Sequence, residues 1–392
     1  MKSNILNKHM WKFTDWFLVA IIFIIVAFGI LSIINATASP FTGDETGIDG
    51  IISNLNLGYA ERQLMFFGVG LAAMFLCMLA DYHVVANIVE YIYWACVLLL
   101  VAVLIFGKEV NGTAGWFRIG DYGIQPSEFA KLGVILALAK SISAKTEGHE
   151  EGITKFKDIL PALWHFAIPF VLILAQPDFG TAIVYAFIFF VMLFMAKTHW
   201  KIMLLIIVIA IAIIPIAFQF MQDYQQTRLM SFFFPEEYQS AETADARLQV
   251  DQAKMAIGSG GLWGKGLFAP GALSNLDYVP EKHNDFIFAV TVEAFGFVGG
   301  AILIVLYFIL ILRTFMLAMR ARDDFGAYII VGVAAMTVFH VVENIGMNLD
   351  VLPVTGIPLP FFSYGGSSLL TNMIAYGMVL SVDMRRTRWP IG

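Results

Sequence analysis

Runs of about twenty apolar residues recur along this whole chain, and each is long enough to cross a hydrocarbon core of about 30 Å. Ten runs are read, at about 14–36, 63–80, 84–106, 127–143, 159–175, 179–196, 201–220, 285–312, 327–348 and 364–383. Lipid offers no partner to backbone N–H and C=O groups, so each run is expected as a helix that satisfies its own. A transmembrane barrel is excluded, because barrel strands alternate in polarity and run only about 10 residues. The composition agrees, with 59% hydrophobic and 14% charged residues and a mean hydropathy of +0.77, where a soluble domain carries about 25% charged residues. The expected fold is an all-α polytopic membrane protein of about ten transmembrane helices, forming one domain over residues 1–392. The first run, Phe13 to Ile34, is too long for a signal peptide and is expected to remain as a span. Cys77 and Cys96 both fall in spans and read as small core residues rather than a disulfide or metal pair.

Orientation follows local basic residues rather than the net charge of −6. With the N-terminus inside, the cytoplasmic segments hold Lys2, Lys8, Lys12, Lys140, Lys145, Lys155, Lys157, Lys197, Lys201, Arg313, Arg320, Arg322, Arg385, Arg386 and Arg388, 15 of the 24 basic residues. Short external loops hold only Arg62, Lys108 and Arg118. Both termini are therefore expected in the cytoplasm, with a large extracytoplasmic loop at about 221–284 between helices 7 and 8. The first external loop, about 37–62, reads as a flexible cover rich in Gly, Asp, Asn and Ser. In the large loop, Thr243 to Ala256 reads as an amphipathic helix on the outer membrane surface, ended by Gly258 to Gly261.

Polar clusters interrupt this pattern. Glu281-Lys282-His283-Asn284-Asp285-Phe286 sets five polar residues directly before the eighth run. Insertion scales charge roughly 2.5–3.5 kcal/mol for an acid at mid-bilayer, so acids in such places usually face a wet cavity and mark function. Asp285 is the leading catalytic candidate; the plainer alternative is a boundary where the chain leaves water. Gln125-Pro126-Ser127-Glu128-Phe129-Ala130-Lys131 opens the fourth span, with Pro126 suited to a first helical turn and Glu128 and Lys131 on one face at i, i+3. A capped helix start with an ion pair would explain these residues as well, except that Lys131 lies a turn deep. Gln176-Pro177-Asp178-Phe179-Gly180-Thr181 reads either as a turn with Asp178 as helix cap or as part of a site. The glycine-rich run Gly258 to Gly266 fails the phosphate-loop pattern, holding Ser259 and Gly266 where a Gly and a Ser or Thr are needed. It reads as a backbone turn against a ligand. Glu343-Asn344 and Asn348 precede a proline-rich stretch, and Ser363-Tyr364-Gly365-Gly366-Ser367-Ser368 opens the tenth span, whose N-terminus suits an anion. Arg62, Glu128, Lys131, Asp178, Lys282, Asp285 and Glu343 all map to external span ends, which a polar cavity explains better than separate caps.

These motifs, in this order and over nearly the whole chain, resemble the SEDS family (shape, elongation, division and sporulation), and most of all its rod-shape branch. Pro358-Leu359-Pro360-Phe361-Phe362-Ser363-Tyr364-Gly365-Gly366-Ser367-Ser368 and Ala256-Ile257-Gly258-Ser259-Gly260-Gly261 complete the match. Where the family often has Arg before the Trp of the second external loop, this chain has Gly115 before Trp116, and Arg118 is the nearest Arg. The resemblance implies a peptidoglycan glycosyltransferase that polymerises lipid II outside the cytoplasmic membrane. It implies a class B penicillin-binding protein as transpeptidase partner, alongside other cell-elongation proteins, with no nucleic acid. Asp285 would be the general base, Lys131, Arg62 and Arg118 would be the candidates to stabilise the leaving pyrophosphate, and Glu128 would hold Lys131 in place. Arg62, Arg118, Asp178, Lys282, Ser363, Gly365, Gly366 and Ser367 are the candidate substrate-binding residues. A divalent cation, Mg or Mn, is a further candidate helper. A lipid II flippase or a non-catalytic scaffold would share the ten spans, and the division or sporulation branch of the same family is the further alternative; clustering of polar groups at one face favours the enzyme.

Overall fold

The computed structural model describes residues 11, 13–38, 55–110, 113–120, 122–148, 151–219, 221–235, 244–274, 276 and 278–386. Most of the first external loop, the start of the loop helix at Thr243, and Lys2, Lys8, Lys12 and Arg388 lie outside the described residues. Ten long helices occupy the ten expected runs: α1 (Trp16–Thr37), α2 (Gly58–Leu79), α3 (Tyr82–Phe106), α4 (Pro126–Thr146), α5 (Phe156–Leu174), α6 (Phe179–Met195), α7 (Trp200–Gln219), α10 (Ile287–Ala318), α11 (Asp324–Asn348) and α12 (Gly366–Met384). Seven are long and apolar enough to cross a membrane by length and composition alone. The other three differ for legible reasons. Helix α4 carries Glu128, Lys131, Lys140 and Lys145, α6 has 17 residues, and α12 is rich in small and polar side chains.

Helix starts follow local chemistry. Asp15 accepts from the Leu18 N–H, Asp178 from that of Thr181 and Asp323 from that of Gly326, each capping donors that a first turn leaves orphaned. Pro126 occupies the first turn of α4. The core is made where α4, α6, α11 and α12 meet, around Ile135, Tyr185, Met336 and Tyr376, all fully buried. Outward-facing Leu98, Phe106, Val171, Phe194 and Ile211 are more than 60% exposed, as lipid-facing side chains should be.

Between α3 and α4 the chain forms a three-stranded antiparallel sheet, β1 (Lys108–Val110), β2 (Thr113–Ile119) and β3 (Tyr122–Ile124), in that order. Phe117 pairs with Ile124 and Ile119 with Tyr122. An all-helical reading does not contain it. Two shorter helices, α8 (Asp223–Phe233) and α9 (Ala244–Gly260), lie in the long segment between α7 and α10. Helix α9 is the expected loop helix, but it also packs on the bundle: Ala253 and Ala256 are buried in one cluster with Phe286 and Ala289.

Helix α10 is broken. Gly296 has φ +70° and ψ −171°, which only glycine adopts readily. The break frees backbone groups that the segment after α9 satisfies. Lys265 and Gly266 N–H groups donate to the carbonyls of Glu293 and Ala294, while Phe297 and Val298 donate to those of Gly261 and Leu262. The glycine-rich run therefore splints a helix instead of facing a ligand, correcting the sequence expectation. Its glycines are small because backbone meets backbone: a Cβ on Gly264 would strike the Ala294 carbonyl.

At the end of the bundle opposite this splint, ion pairs tie helix ends together. Arg313 Nε donates to Asp15 Oδ2 at 2.6 Å, the Asp15 N–H to Asp383 Oδ2 at 3.1 Å, and Arg386 Nη1 to Asp383 Oδ1 at 2.6 Å. Tyr82 Oη donates to Asp323 Oδ2 at 2.7 Å.

Candidate active site

A cavity of about 450 Å³ opens at the end of the bundle that carries the sheet, α8 and α9. Its walls come from the sheet, the starts of α4, α6 and α12, helix α8, the turn before α10, and the linker from α11 to α12.

Asp285 lies in that turn, just before α10 begins at Ile287. Two asparagines from α11 hold its backbone: Asn344 Nδ2 and Asn348 Nδ2 donate to the Asp285 carbonyl at 3.0 and 2.9 Å. Asn344 Nδ2 also donates to the Ile357 carbonyl at 2.8 Å, joining turn and linker. Ser363 Oγ donates to the Asn284 carbonyl at 2.7 Å, and the Tyr364 N–H to the His283 carbonyl at 2.9 Å. The backbone of Asp285 is thus pinned from two sides while its carboxylate faces the cavity. Gly356, at φ +74°, passes close beside it, and a Cβ there would sit 3.4 Å from Oδ2. Burial pushes the Asp285 carboxyl up to about 7; the charge of Glu281 adds to this and Arg228 opposes it.

Across the cavity, Lys131 reaches from α4. Its side chain is 1% exposed, and Nζ donates to Glu128 Oε1 at 2.6 Å and meets His340 Nε2 at 3.1 Å. Asp178 Oδ1 caps α6, and its Oδ2 accepts from Gln125 Nε2 at 3.1 Å. Burial raises the Asp178 carboxyl, and the hydrogen bonds from Thr181 oppose the rise. Gly365, Gly366 and Ser367 line the wall at the start of α12. There Ser367 Oγ accepts from the Gln125 N–H at 3.1 Å.

Other sequence candidates lie elsewhere. Arg62, Arg118, Lys282 and Ser363 are not among the lining residues. Arg62 is exposed on α2; the next residue, Gln63, turns inward, donating to the Ser363 carbonyl at 3.0 Å. One helical step of about 100° separates the two directions. Arg118 is exposed near the β2–β3 turn. Lys282 Nζ donates to the Ser274 carbonyl at 2.6 Å, bracing the loop. Ser363 is buried and braces Asn284. Glu343 accepts from Thr355 Oγ1 at 2.8 Å, fixing a lining residue of the linker from behind.

Three residues that sequence reasoning passed over are central. Arg228 of α8 lines the cavity, with its guanidinium 5.6 Å from the Tyr224 ring. It and Lys131 are the Lys and Arg side chains in the described lining. His340 sits inside an apolar run, where one histidine leaves no local signal. Glu293, 1% exposed on α10, accepts from Lys265 Nζ at 2.7 Å and from the N–H groups of Leu273 and Ser274 at 2.7 and 2.9 Å. That carboxylate organises the loop leading to Asp285. Among the described residues, no group of three or more His, Cys, Asp or Glu side chains could hold a metal ion.

A bundle of membrane-length helices around a polar cavity, lined at one end by Glu128, Asp178, Glu281 and Asp285 together with Lys131 and Arg228, defines an integral membrane protein with a charged pocket. A family model described as cell cycle protein (FtsW/RodA/SpoVE) matches residues 15–388, and the chain belongs to that family. It is 38% identical over 335 residues to the peptidoglycan glycosyltransferase MrdB of Escherichia coli K12, covering 85% of this chain and 88% of that one. It is 34% identical over 374 residues to stage V sporulation protein E of Bacillus subtilis, covering 94% and 96%. Among solved structures it is similar to a chain described under "structural coordination of polymerization and crosslinking by a peptidoglycan synthase complex". The TM-score is 0.73 at 30% identity, over 96% of this chain and 99% of that one. The crystal structure of Thermus thermophilus rod shape determining protein RodA matches with a TM-score of 0.67 at 30% identity, over 96% and 98%.

Proposed function

We infer that this chain is a peptidoglycan glycosyltransferase that polymerises lipid II into glycan strands at the outer face of the bacterial cytoplasmic membrane during cell elongation. Family membership and the peptidoglycan glycosyltransferases among its relatives support the activity. The observation that carries the mechanism is Asp285 in the cavity, held by its backbone and raised to about 7.

Glycan extension requires a sugar 4-hydroxyl of one lipid II to attack the anomeric carbon of the other, with the lipid pyrophosphate leaving. The hydroxyl is a weak nucleophile until a base takes its proton. Asp285 is that base, and a value near 7 gives it both basicity and a usable ionised fraction. The C–O bond to pyrophosphate breaks as the new C–O bond forms, so a single displacement turns an α-linked donor into a β-linked polymer. Pyrophosphate needs charge stabilisation rather than an acid. Lys131 of α4 and Arg228 of α8, both lining the cavity, supply it. Glu128 orients Lys131. The N-terminus of α12 and Gln125 with Asp178 bound the remaining wall. A divalent cation, Mg or Mn, would add charge stabilisation at the pyrophosphate, held by one or two of the lining carboxylates and the phosphates themselves.

The partner is a class B penicillin-binding protein; a similar chain sits in a structure concerned with coordinated polymerization and crosslinking. Polymerisation is favoured over lipid transport because the opposite end is tied by Asp15, Arg313, Asp383 and Arg386 while the polar groups gather at one end. The test is purified protein in lipid II-containing vesicles. Glycan product on a gel is expected, and lipid II movement across the bilayer without product would contradict the reading.

A further inference from the structure

We propose that His340 is a positioning residue for the reaction: a neutral imidazole whose Nε2 lone pair holds the Lys131 ammonium toward the cavity. The inference rests on the glycosyltransferase reading above. A lysine ammonium has three N–H donors and no acceptor. Buried Lys131 gives one to Glu128 Oε1 at 2.6 Å and one to His340 Nε2 at 3.1 Å, from α11 across the helix interface. The third is left for the cavity that Lys131 lines.

The contact fixes the state of the ring. An ammonium can only donate, so Nε2 must be the acceptor and the ring proton sits on Nδ1. An imidazolium would put a second cation 3.1 Å from the first, with a single carboxylate, Glu128, bonded to the pair. His340 is fully buried, and its Nδ1 finds no partner among the described residues. No anion holds this ring charged. Glu128 and His340 thus form two legs of a fixed support on two different helices, and the ammonium is aimed before any ligand arrives. Without the second leg, Lys131 would fold onto Glu128, which sits on its own helix three residues back, and its charge would turn from the leaving group.

The variants His340→Leu and His340→Gln separate positioning from packing. A glutamine carbonyl can stand where Nε2 stands and accept from Nζ; leucine fills space and accepts nothing. With purified protein and lipid II, His340→Leu is expected to lose about tenfold or more in kcat with little change in KM. His340→Gln is expected to stay within a few-fold of the parent. Equal loss in both, or loss in KM alone, would overturn the proposal. A readout independent of turnover is the ¹⁵N spectrum of histidine-labelled protein near neutral pH. Of its 7 histidines, the one that disappears in His340→Gln should show a neutral ring protonated at Nδ1. A doubly protonated ring, or a proton on Nε2, would refute it. Failure of the parent protein to make glycan would instead refute the underlying reading and leave the ring spectrum to judge this one.

Discussion

Asp285 illustrates how one side chain acquires a function from its surroundings. An aspartate ordinarily titrates near 4; here burial first, then Glu281, carries it to about 7 against the pull of Arg228. A base works only when ionised, so polymerisation should rise with pH through about 7 and level off above it. Removing a neighbouring negative charge lowers an acid's pKa, so Glu281→Gln should move this rise toward lower pH. A pH–rate profile of both proteins checks the sign, and an unmoved profile would count against Glu281 as a contributor. The same shift has a cost in stability. Between the ordinary aspartate range and about 7 the folded chain keeps a proton that the unfolded chain has released, so stability at this residue falls as pH rises across that window. Asp285 was legible in the sequence because a polar run stops abruptly at a long apolar one. His340 and Glu293 were not, because a single polar residue inside a span has the same local pattern whether it braces, catalyses or merely fills.

At the scale of elements, the broken α10 is held by a splint from the segment after α9, while the turn that carries Asp285 is held by α11 and the start of α12. The phase of ten helices was legible from apolar runs, but a break supported by a loop thirty residues earlier is a tertiary fact. So is the three-stranded sheet, whose strands are too short for a periodic signal. Gly296→Ala would place a Cβ against Gly264 N and Leu262 O in a left-handed backbone. We expect a loss of at least ~1 kcal/mol from backbone conformation alone, plus the clash. Thermal unfolding in detergent would show it, and an unchanged midpoint would contradict the splint. Helix α9 is latched separately. Arg247 donates two hydrogen bonds to Asp350, at 3.0 and 2.7 Å, and Lys254 one at 2.8 Å. These partners hold the Asp350 carboxyl below its usual value although burial opposes them. A lowered carboxylate stabilises above its unfolded pKa and loses that contribution as pH falls through the folded one. Asp350→Asn should therefore raise amide exchange across α9, most visibly above the unfolded value. Unchanged protection would show that packing of Ala253 and Ala256 suffices.

For the whole molecule, two ends are built from opposite materials. One is closed by short ion pairs between helix termini, and the other holds a polar cavity whose walls come from segments distant in sequence. Sequence order could assign Arg62 and Arg118 to the correct end but not to the cavity, since helix phase and strand position turned them outward. It also passed over Arg228, which sits in a loop helix with no motif to mark it. One cavity thus brings together a base for proton removal and cations for charge stabilisation. The most direct test is the initial rate of lipid II polymerisation by purified Asp285→Asn, with folding checked by its elution profile and unfolding midpoint. Asn keeps the shape and removes the base, so a fall of about 100-fold or more is expected. Polymerisation by the folded variant at the parent's rate would contradict the account.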